Sequence, residues 1–384
     1  MIYPRLLESP RESFFLFGPR GTGKSTWIRE RFPNAPRYDL LDTGEALRLL
    51  AEPVALWHEL QGLPSGSWAV LDEVQKAPAV LDSVHRLIEE RRLRFVLSGS
   101  SARKLRRGGA NLLAGRAITV SMPPLVSREL AFEMDLPERL RFGMLPQAIT
   151  SVDPVAFLRS YVETYLMEEV KAEALTRNLG GFARFLEIAA RQNGQVTNAA
   201  GIARDVGISR RTVDGYFEIL TDTLLGDWLR AWRSKLGNRQ MRGSKFFFFD
   251  SGVARASSGR LPYPPTPEEA GPLLETLVWR ELRTYVQYCN LHYPLFYWRN
   301  YSGAEVDLLC ETGSGFVAVE IKSSRRWDRR FGRGFRHLER ELGQDRLRCF
   351  GVYLGERPAQ FGRVTVLPCL EFLRRLWAGD IVRS

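Results

Sequence analysis

The chain has 384 residues, 44% hydrophobic and 26% charged, the balance of an ordinary globular protein with room for two or three cores. No apolar run reaches the roughly 20 residues that would cross a bilayer, and the start Met-Ile-Tyr-Pro-Arg has no basic stretch leading into an apolar one. No membrane partner and a cytoplasmic location are therefore expected. The formal charge of +11 points towards a polyanion partner, nucleic acid first, unless the arginines are merely solvated. Cys289, Cys310, Cys349 and Cys369 form no CxxC pair and the four histidines are scattered, so buried free thiols are expected and a zinc site is not.

Residues 14–26 read Phe-Phe-Leu-Phe-Gly-Pro-Arg-Gly-Thr-Gly-Lys-Ser-Thr. The pattern is an apolar strand, a glycine-rich turn and the first turn of a helix. Gly18, Gly23, Lys24 and Ser25 fill every fixed place of G-x-x-x-x-G-K-[ST]. Backbone N–H groups from Gly18, Pro19, Arg20, Gly21, Thr22 and Gly23 to Thr26 form the stretch that would wrap a phosphate, proline excepted as a donor. The following helix turns its positive end to the same place. Lys24 can reach the β- and γ-phosphates of a nucleoside triphosphate, and the Ser25 hydroxyl can ligate Mg²⁺.

A short strand is expected at 37–41 and a helix over 44–61. The apolar run 68–71 ends in Asp72 and Glu73. Asp72 is placed to hold the Mg²⁺ shell, and Glu73 to orient the attacking water. A helix over 78–91 and strands at 94–98 and 117–120 complete an alternation that predicts a parallel sheet with helices on both faces. The extra strand between the loop and the acids, and the adjacent Glu, resemble the AAA-type branch of P-loop ATPases. Within residues 98–101, Ser-Gly-Ser-Ser, Ser100 is the candidate γ-phosphate sensor. Residues 112–116, Leu-Leu-Ala-Gly-Arg, precede the last strand. Arg116 there is either a surface arginine or a finger reaching a neighbour's nucleotide, in which case the active form is an oligomer, a ring by that analogy.

After a linker at 121–125, residues 129–178 read as helix-rich, with apolar residues at helical spacing over 157–172 that suggest a lid. Residues 182–225 give a helix, a short helix 196–204, a glycine turn, and a second helix opened by Ser209. This is the layout of a helix-turn-helix, with Arg210 and Arg211 facing a groove, although the same fold also serves as a spacer or dimer surface. Behind it, residues 228–235 with Arg239, Arg242 and Lys245 suggest a basic wing. The four phenylalanines of 246–249 demand a buried strand.

The last region opens with a helix over 271–289 carrying Glu275. Strands follow at 295–299, 305–310 (with Asp307), 316–322 (with Glu320 and Lys322) and 347–354, a basic helix lying before the last. This order, with Asp307 and Glu320-Ile-Lys322, resembles the PD-(D/E)XK nuclease core. The period of two puts Glu320 and Lys322 on one strand face, where Asp307 and Glu275 could join them around Mg²⁺. Lys322 would then polarise the attacking water. A cross-strand ion pair is the other reading of E-x-K. Residues 325–340 carry seven arginines against two acids, among them Arg325, Arg326, Arg329 and Arg330. Trp327, Phe331 and Phe335 lie between them as rings that could stack on bases.

Taken together, F-x-x-x-G-P-R-x-x-G-K-S-T, L-D-E-V-Q, S-G-S-S, L-x-G-R, the helix-turn-helix layout and V-D…E-x-K resemble bacterial and archaeal AAA-type ATPases with a C-terminal domain of unknown function. The resemblance covers essentially the whole chain. It implies an α/β protein that binds ATP with Mg²⁺ and hydrolyses it, with a P-loop domain at 1–122 and a helical lid at 123–180. A winged helix-turn-helix is expected at 181–256 and a PD-(D/E)XK-like domain at 271–384. Two functions stay open: ATP-coupled binding or processing of nucleic acid, DNA before RNA, or a nucleotide switch whose nuclease-like domain is silent.

Overall fold

The computed structural model describes residues 3–100, 113, 115–166, 178–233 and 243–383. Ser101, Leu112, Ala114, residues 167–172, Lys235, Arg239 and Arg242, named above, lie outside the described residues.

The N-terminal unit is an α/β sandwich of β1 (Phe14–Phe17), α1 (Lys24–Arg31), β2 (Arg37–Asp39), α2 (Thr43–Ala51), α3 (Ala55–Leu60), β3 (Trp68–Asp72), α4 (Val80–Arg91), β4 (Arg94–Gly99) and β5 (Ile118–Ser121). Its strands pair in parallel in the order β2-β3-β4-β1-β5. Helices cover both faces, so β1, β3 and β4 are almost continuously apolar and buried. The expected helix over 44–61 is two helices, α2 and α3. Pro53 has no N–H to continue α2 and disfavours the helical conformation of Glu52 before it.

A helical segment follows: α5 (Leu136–Phe142), α6 (Pro146–Thr150), α7 (Pro154–Ser160) and a wider π-type coil, Tyr161–Leu166. Next come α8 (Leu179–Arg191), α9 (Ala199–Val206) and α10 (Arg210–Asp222), packed through Phe182, Phe185, Tyr216 and Phe217. Asn198 caps α9, Gly207 closes it at φ 76°, and the Ser209 hydroxyl accepts from Thr212 N at 3.1 Å to start α10. A hairpin, β6 (Gly226–Ala231) with β7 (Ser244–Phe248), then leads through α11 (Ser251–Ser257) to α12 (Pro267–Tyr288).

The C-terminal strands are β8 (Leu295–Arg299), β9 (Glu305–Thr312), β10 (Gly315–Lys322), β11 (Leu347–Tyr353), β12 (Ala359–Phe361) and β13 (Val364–Pro368), with α13 (Arg333–Leu342) and α14 (Cys369–Trp377). Because β6 pairs in parallel with β8, the hairpin is continuous with this sheet, in the order β12-β13-β11-β10-β9-β8-β6-β7. Two expectations change here. Lys245 is no exposed wing residue: it points inward and is 4% exposed. Of the rings of 327–335, Phe335 is buried and so cannot stack on bases, while Trp327 and Phe331 are half-buried. Trp327 sits edge-on to Phe331 at 5.4 Å and to Tyr353 at 6.4 Å.

Helix α12 is the spine of the C-terminal half. It buries Leu274, Val278, Trp279, Leu282 and Tyr285 in the largest core, together with β10, β11 and α14. Glu281 on the same helix is buried as well. Its carboxylate accepts from Ser127 N (2.6 Å), the Ser127 hydroxyl (3.0 Å) and Trp377 Nε1 (2.7 Å). Burial outweighs these donors and pushes the Glu281 carboxyl up to about 7.

The folded chain therefore holds the Glu281 proton where the unfolded chain, near 4.5, has released it. Stability from this group is complete below pH 4.5 and is lost as the pH rises through about 7. The shift amounts to a few kcal/mol. Melting temperatures between pH 5 and 8 check this: the wild type should fall with rising pH by more than Glu281→Gln does. Parallel slopes would discard the assignment.

Candidate functional site

The carboxyl ends of β1, β3 and β4 meet at one edge of the parallel sheet, with β4 between the other two. This is where open α/β sheets place ligands. The loop after β1 is tightly held. A side chain at Gly18 would meet Met122 O at 2.3 Å, and Gly23 takes φ 93°, which favours glycine. Buried Thr22 donates to Pro19 O at 2.9 Å. Lys24 is 6% exposed, and its ammonium donates to Gly18 O (2.7 Å) and Pro19 O (3.2 Å), folded onto its own loop. Ser25 and Thr26 follow it in the first turn of α1, half-buried.

On β3, Asp72 is buried and accepts from the Ser98 hydroxyl of β4. Glu73 follows in a left-handed conformation, φ 59°, which a glutamate adopts only under constraint. Its carboxylate accepts from Gln75 Nε2 at 2.5 Å, and the same amide reaches the Ser100 hydroxyl at 3.2 Å. Ser100 is thereby tied to Glu73 through Gln75. A side chain at Gly99 would strike Gln75 Oε1 at 2.4 Å, so that glycine is what admits the amide. The hydroxyl of Ser25 and the carboxylate of Asp72 are hard oxygen donors of the kind Mg²⁺ takes, and the bound ion would neutralise phosphate charge.

Two contacts join this edge to the rest of the chain. Tyr161 of the π-type coil donates to Arg20 O at 3.0 Å, and its ring lies 3.7 Å from the place a side chain on Gly21 would take. Arg5, buried, donates to Thr22 O (2.5 Å), Pro123 O (2.8 Å), Glu129 (2.9 Å) and Tyr288 Oη (3.4 Å). Arg116 is exposed and pairs with Glu89 of α4 in its own chain.

The second constellation lies in the C-terminal sheet, where Glu275, Glu305, Asp307 and Glu320 converge. The ammonium of Lys245 sits among three of them, 3.3 Å from Glu275, 2.6 Å from Glu305 and 3.9 Å from Asp307. Lys322 pairs with Glu320 at 2.6 Å and Asp307 at 3.5 Å. Burial pushes the Glu275 and Glu320 carboxyls up, while the surrounding carboxylates overcome desolvation and hold Lys245 and Lys322 above the usual lysine range. Among the described residues no group of three or more acids, histidines or cysteines is arranged to hold a metal ion. The metal site expected at Asp307, Glu320 and Glu275 is thus, as folded, an ion-pair cluster with Lys245 inside it.

Arg210 and Arg211 are exposed at the start of α10, Arg210 near Asp214 at 3.9 Å. Arg325, Arg326, Arg329 and Arg330 are also exposed, Arg330 paired with Asp328 at 2.7 Å. Sequence reasoning gave no role to Gln75, Ser98, Glu305 or Arg5. Gln75 was visible only as the last letter of L-D-E-V-Q, and Arg5 carried no local signal. Lys245 did: a charge opening a continuous apolar strand needs a buried partner.

Residues 10–131 match the family described as an AAA domain, which fits the parallel sheet and the loop at its edge: this part of the chain is an AAA-type P-loop domain. Residues 133–262 and 270–372 match two families described as domains of unknown function, DUF8612 and DUF4143. The chain is 28% identical over 316 residues to uncharacterized protein Rv2008c of Mycobacterium tuberculosis and equally to Mb2031c of Mycobacterium bovis. These matches span 80% of this chain and 69% of each relative. Protein VC1899 from Vibrio cholerae aligns over 96% of both chains at 12% identity, with a TM-score of 0.23, too low to argue from. No described helix is long and apolar enough to cross a membrane.

Lys24→Ala should abolish saturable binding of fluorescent ATP. Glu73→Gln should keep that binding and lower steady-state phosphate release by about 10²- to 10⁴-fold, the range for a lost general base. Release at the wild-type rate from Glu73→Gln would remove Glu73 from the chemistry.

Proposed function

We propose that the chain is a Mg²⁺-dependent ATPase whose nucleotide state sets how it engages nucleic acid, DNA before RNA. The domain division proposed is a P-loop unit at 1–122, a lid at 123–180, a winged helix-turn-helix at 181–256 and a PD-(D/E)XK-like unit at 271–384. Lys24, with the backbone of Gly18 to Thr26, holds the triphosphate. Ser25 and Asp72 hold the metal, Glu73 orients water, and Ser100 senses the γ-phosphate through Gln75.

The observation that carries the coupling is Arg5. It grips the carbonyl of Thr22 in the phosphate loop and the hydroxyl of Tyr288 at the end of α12. Glu275 of the acid cluster lies on the same helix, so a shift of the loop on binding phosphate reaches the C-terminal unit through one rigid rod. Arg210, Arg211 and the exposed arginines 325, 326, 329 and 330 supply charge for a phosphate backbone. Lys245 within the cluster favours binding over cutting, so the C-terminal unit acts as a holder and not a nuclease. Arg116 acts in trans only if the chain assembles as a ring.

Fluorescence anisotropy with duplex DNA and with RNA, in ADP and in a non-hydrolysable ATP analogue, tests the reading. Affinity should differ between the nucleotides, and Lys24→Ala should erase the difference. Replacing arginines 325, 326, 329 and 330 by alanine should flatten the plot of log affinity against log salt by up to about 0.9 for each phosphate charge no longer neutralised. No saturable binding in either nucleotide, at low salt, would refute the proposal. Arg116→Ala with unchanged ATP turnover would separately remove the finger and its argument for a ring.

A further inference from the structure

The acid cluster raises an electrostatic question that the nucleotide site does not. Four carboxylates, Glu275, Glu305, Asp307 and Glu320, share one buried region. Carboxylates this close cannot all ionise unless a cation stands among them. In many oxygen-rich sites that cation is a divalent metal, at about 2.0–2.6 Å from each ligand. Here a side chain supplies it.

Lys245 comes from β7, outside the β8–β11 strands that carry most of the acids. Its ammonium lies between Glu275 of α12 and Glu305 and Asp307 of β9, and 5.3 Å from the Tyr297 ring centre. It is 5% exposed, so water contributes little to its solvation. Two other cations face the cluster: Lys322 bonds Glu320 at 2.6 Å and lies 3.5 Å from Asp307, and Arg299 approaches Glu305 at 3.6 Å. Glu320 Oε2 is buried and has no hydrogen-bond partner among the described residues.

We infer that Lys245 is a built-in cation standing where a divalent metal would be needed, and that its presence keeps the cluster free of metal. A metal entering would face an ammonium already at the focus of three carboxylates. Like-charge repulsion and the crowding of the same oxygens oppose it. Removing the ammonium while keeping the length and apolar bulk of its side chain leaves Glu275, Glu305 and Asp307 without the cation that stands among them, with Lys322 still on Glu320 and Asp307, which is the condition for cation uptake. The cluster is therefore a latent metal site, closed by one residue of the hairpin.

The test uses the full chain, freed of nucleotide, with Mn²⁺ as probe, read by calorimetry and by electron paramagnetic resonance of the free ion. Wild type should show no saturable uptake that depends on Asp307. Lys245→Met should take up Mn²⁺ at least about tenfold more tightly than wild type, and Lys245→Met with Asp307→Asn should lose that gain. Mn²⁺ should also raise the melting temperature of Lys245→Met and not that of wild type. Saturable uptake by wild type that Asp307→Asn removes would overturn the inference, and so would a folded Lys245→Met that binds no Mn²⁺. Should Lys245→Met not fold even with Mn²⁺, Lys245→Met with Glu275→Gln relieves one of the exposed charges. A folded double variant with no uptake counts against the inference equally. Neither ATP turnover nor DNA binding enters these readouts, so this inference and the function proposed above fail separately.

Discussion

The guanidinium of Arg5 is the point on which the parts of this chain depend. It is buried, and its donors end on the phosphate loop, the linker after β5, Glu129 and the end of α12. Glu129 completes the arrangement: besides Arg5 it accepts from Leu6 N at 2.8 Å and Val126 N at 3.1 Å, fixing both flanks of the N-terminal sheet. A buried ion pair costs desolvation that only such full use of its hydrogen bonds offsets. Removing either member would leave a charge uncompensated, at roughly 3–5 kcal/mol. The pair therefore specifies one docking of the N-terminal unit on α12 more than it adds stability.

From that junction the two acidic sites differ in how they deal with negative charge. At the nucleotide edge, Asp72 and Glu73 are kept apart from the lysine of their own site. Asp72 takes a hydroxyl from Ser98, Glu73 takes an amide from Gln75, and Lys24 turns to loop carbonyls. Neutral donors hold the acids there, leaving them able to meet a metal and a water. In the C-terminal sheet the donors are ammonium groups standing among the acids. The first arrangement is open to a ligand with countercharge; the second has its cations built in.

How much of this was legible in the sequence follows from the range of the interactions. The phosphate loop was readable because its chemistry is made by the backbone of consecutive residues, and glycine at 23 is demanded locally by its φ of 93°. The α/β alternation and the strand at 246–249 were readable for the same reason, through apolar runs of fixed period. The helix break at Pro53 is written in a single residue, which the reading of 44–61 as one helix did not use. The long-range contacts could not be read. Arg5 meets Tyr288 across nearly the whole chain, and Lys245 meets Glu305 and Asp307 from another segment. Lys245 was misplaced on an exposed wing because a basic residue is put on a surface by default, whereas a lysine flanked by a continuous apolar strand must turn inward with it.

The position of that lysine bears on how the parts can move. Because β6 pairs with β8, the hairpin is a strand pair of the C-terminal sheet as well as the hairpin that follows α10. Phe217 of α10 packs on Trp228 and Phe246 of the two strands, at 4.9 and 4.8 Å between ring centres. Any rotation of the α8–α10 bundle must carry these rings, and with them the strand from which Lys245 reaches the acids. Helix α12 is coupled to the same hairpin from the other side, where Phe247 stacks on Trp279 at 4.8 Å. The bundle, the hairpin and α12 are thus packed as one body around aromatic contacts that tolerate little sliding. Helix α12 then meets the phosphate loop through Arg5 and Tyr288 and the acid cluster through Glu275. A helix buried along most of its length transmits a displacement between its ends better than it absorbs one; if the loop binds phosphate as proposed above, the Thr22–Arg5–Tyr288 contact is where the C-terminal sheet would first feel it.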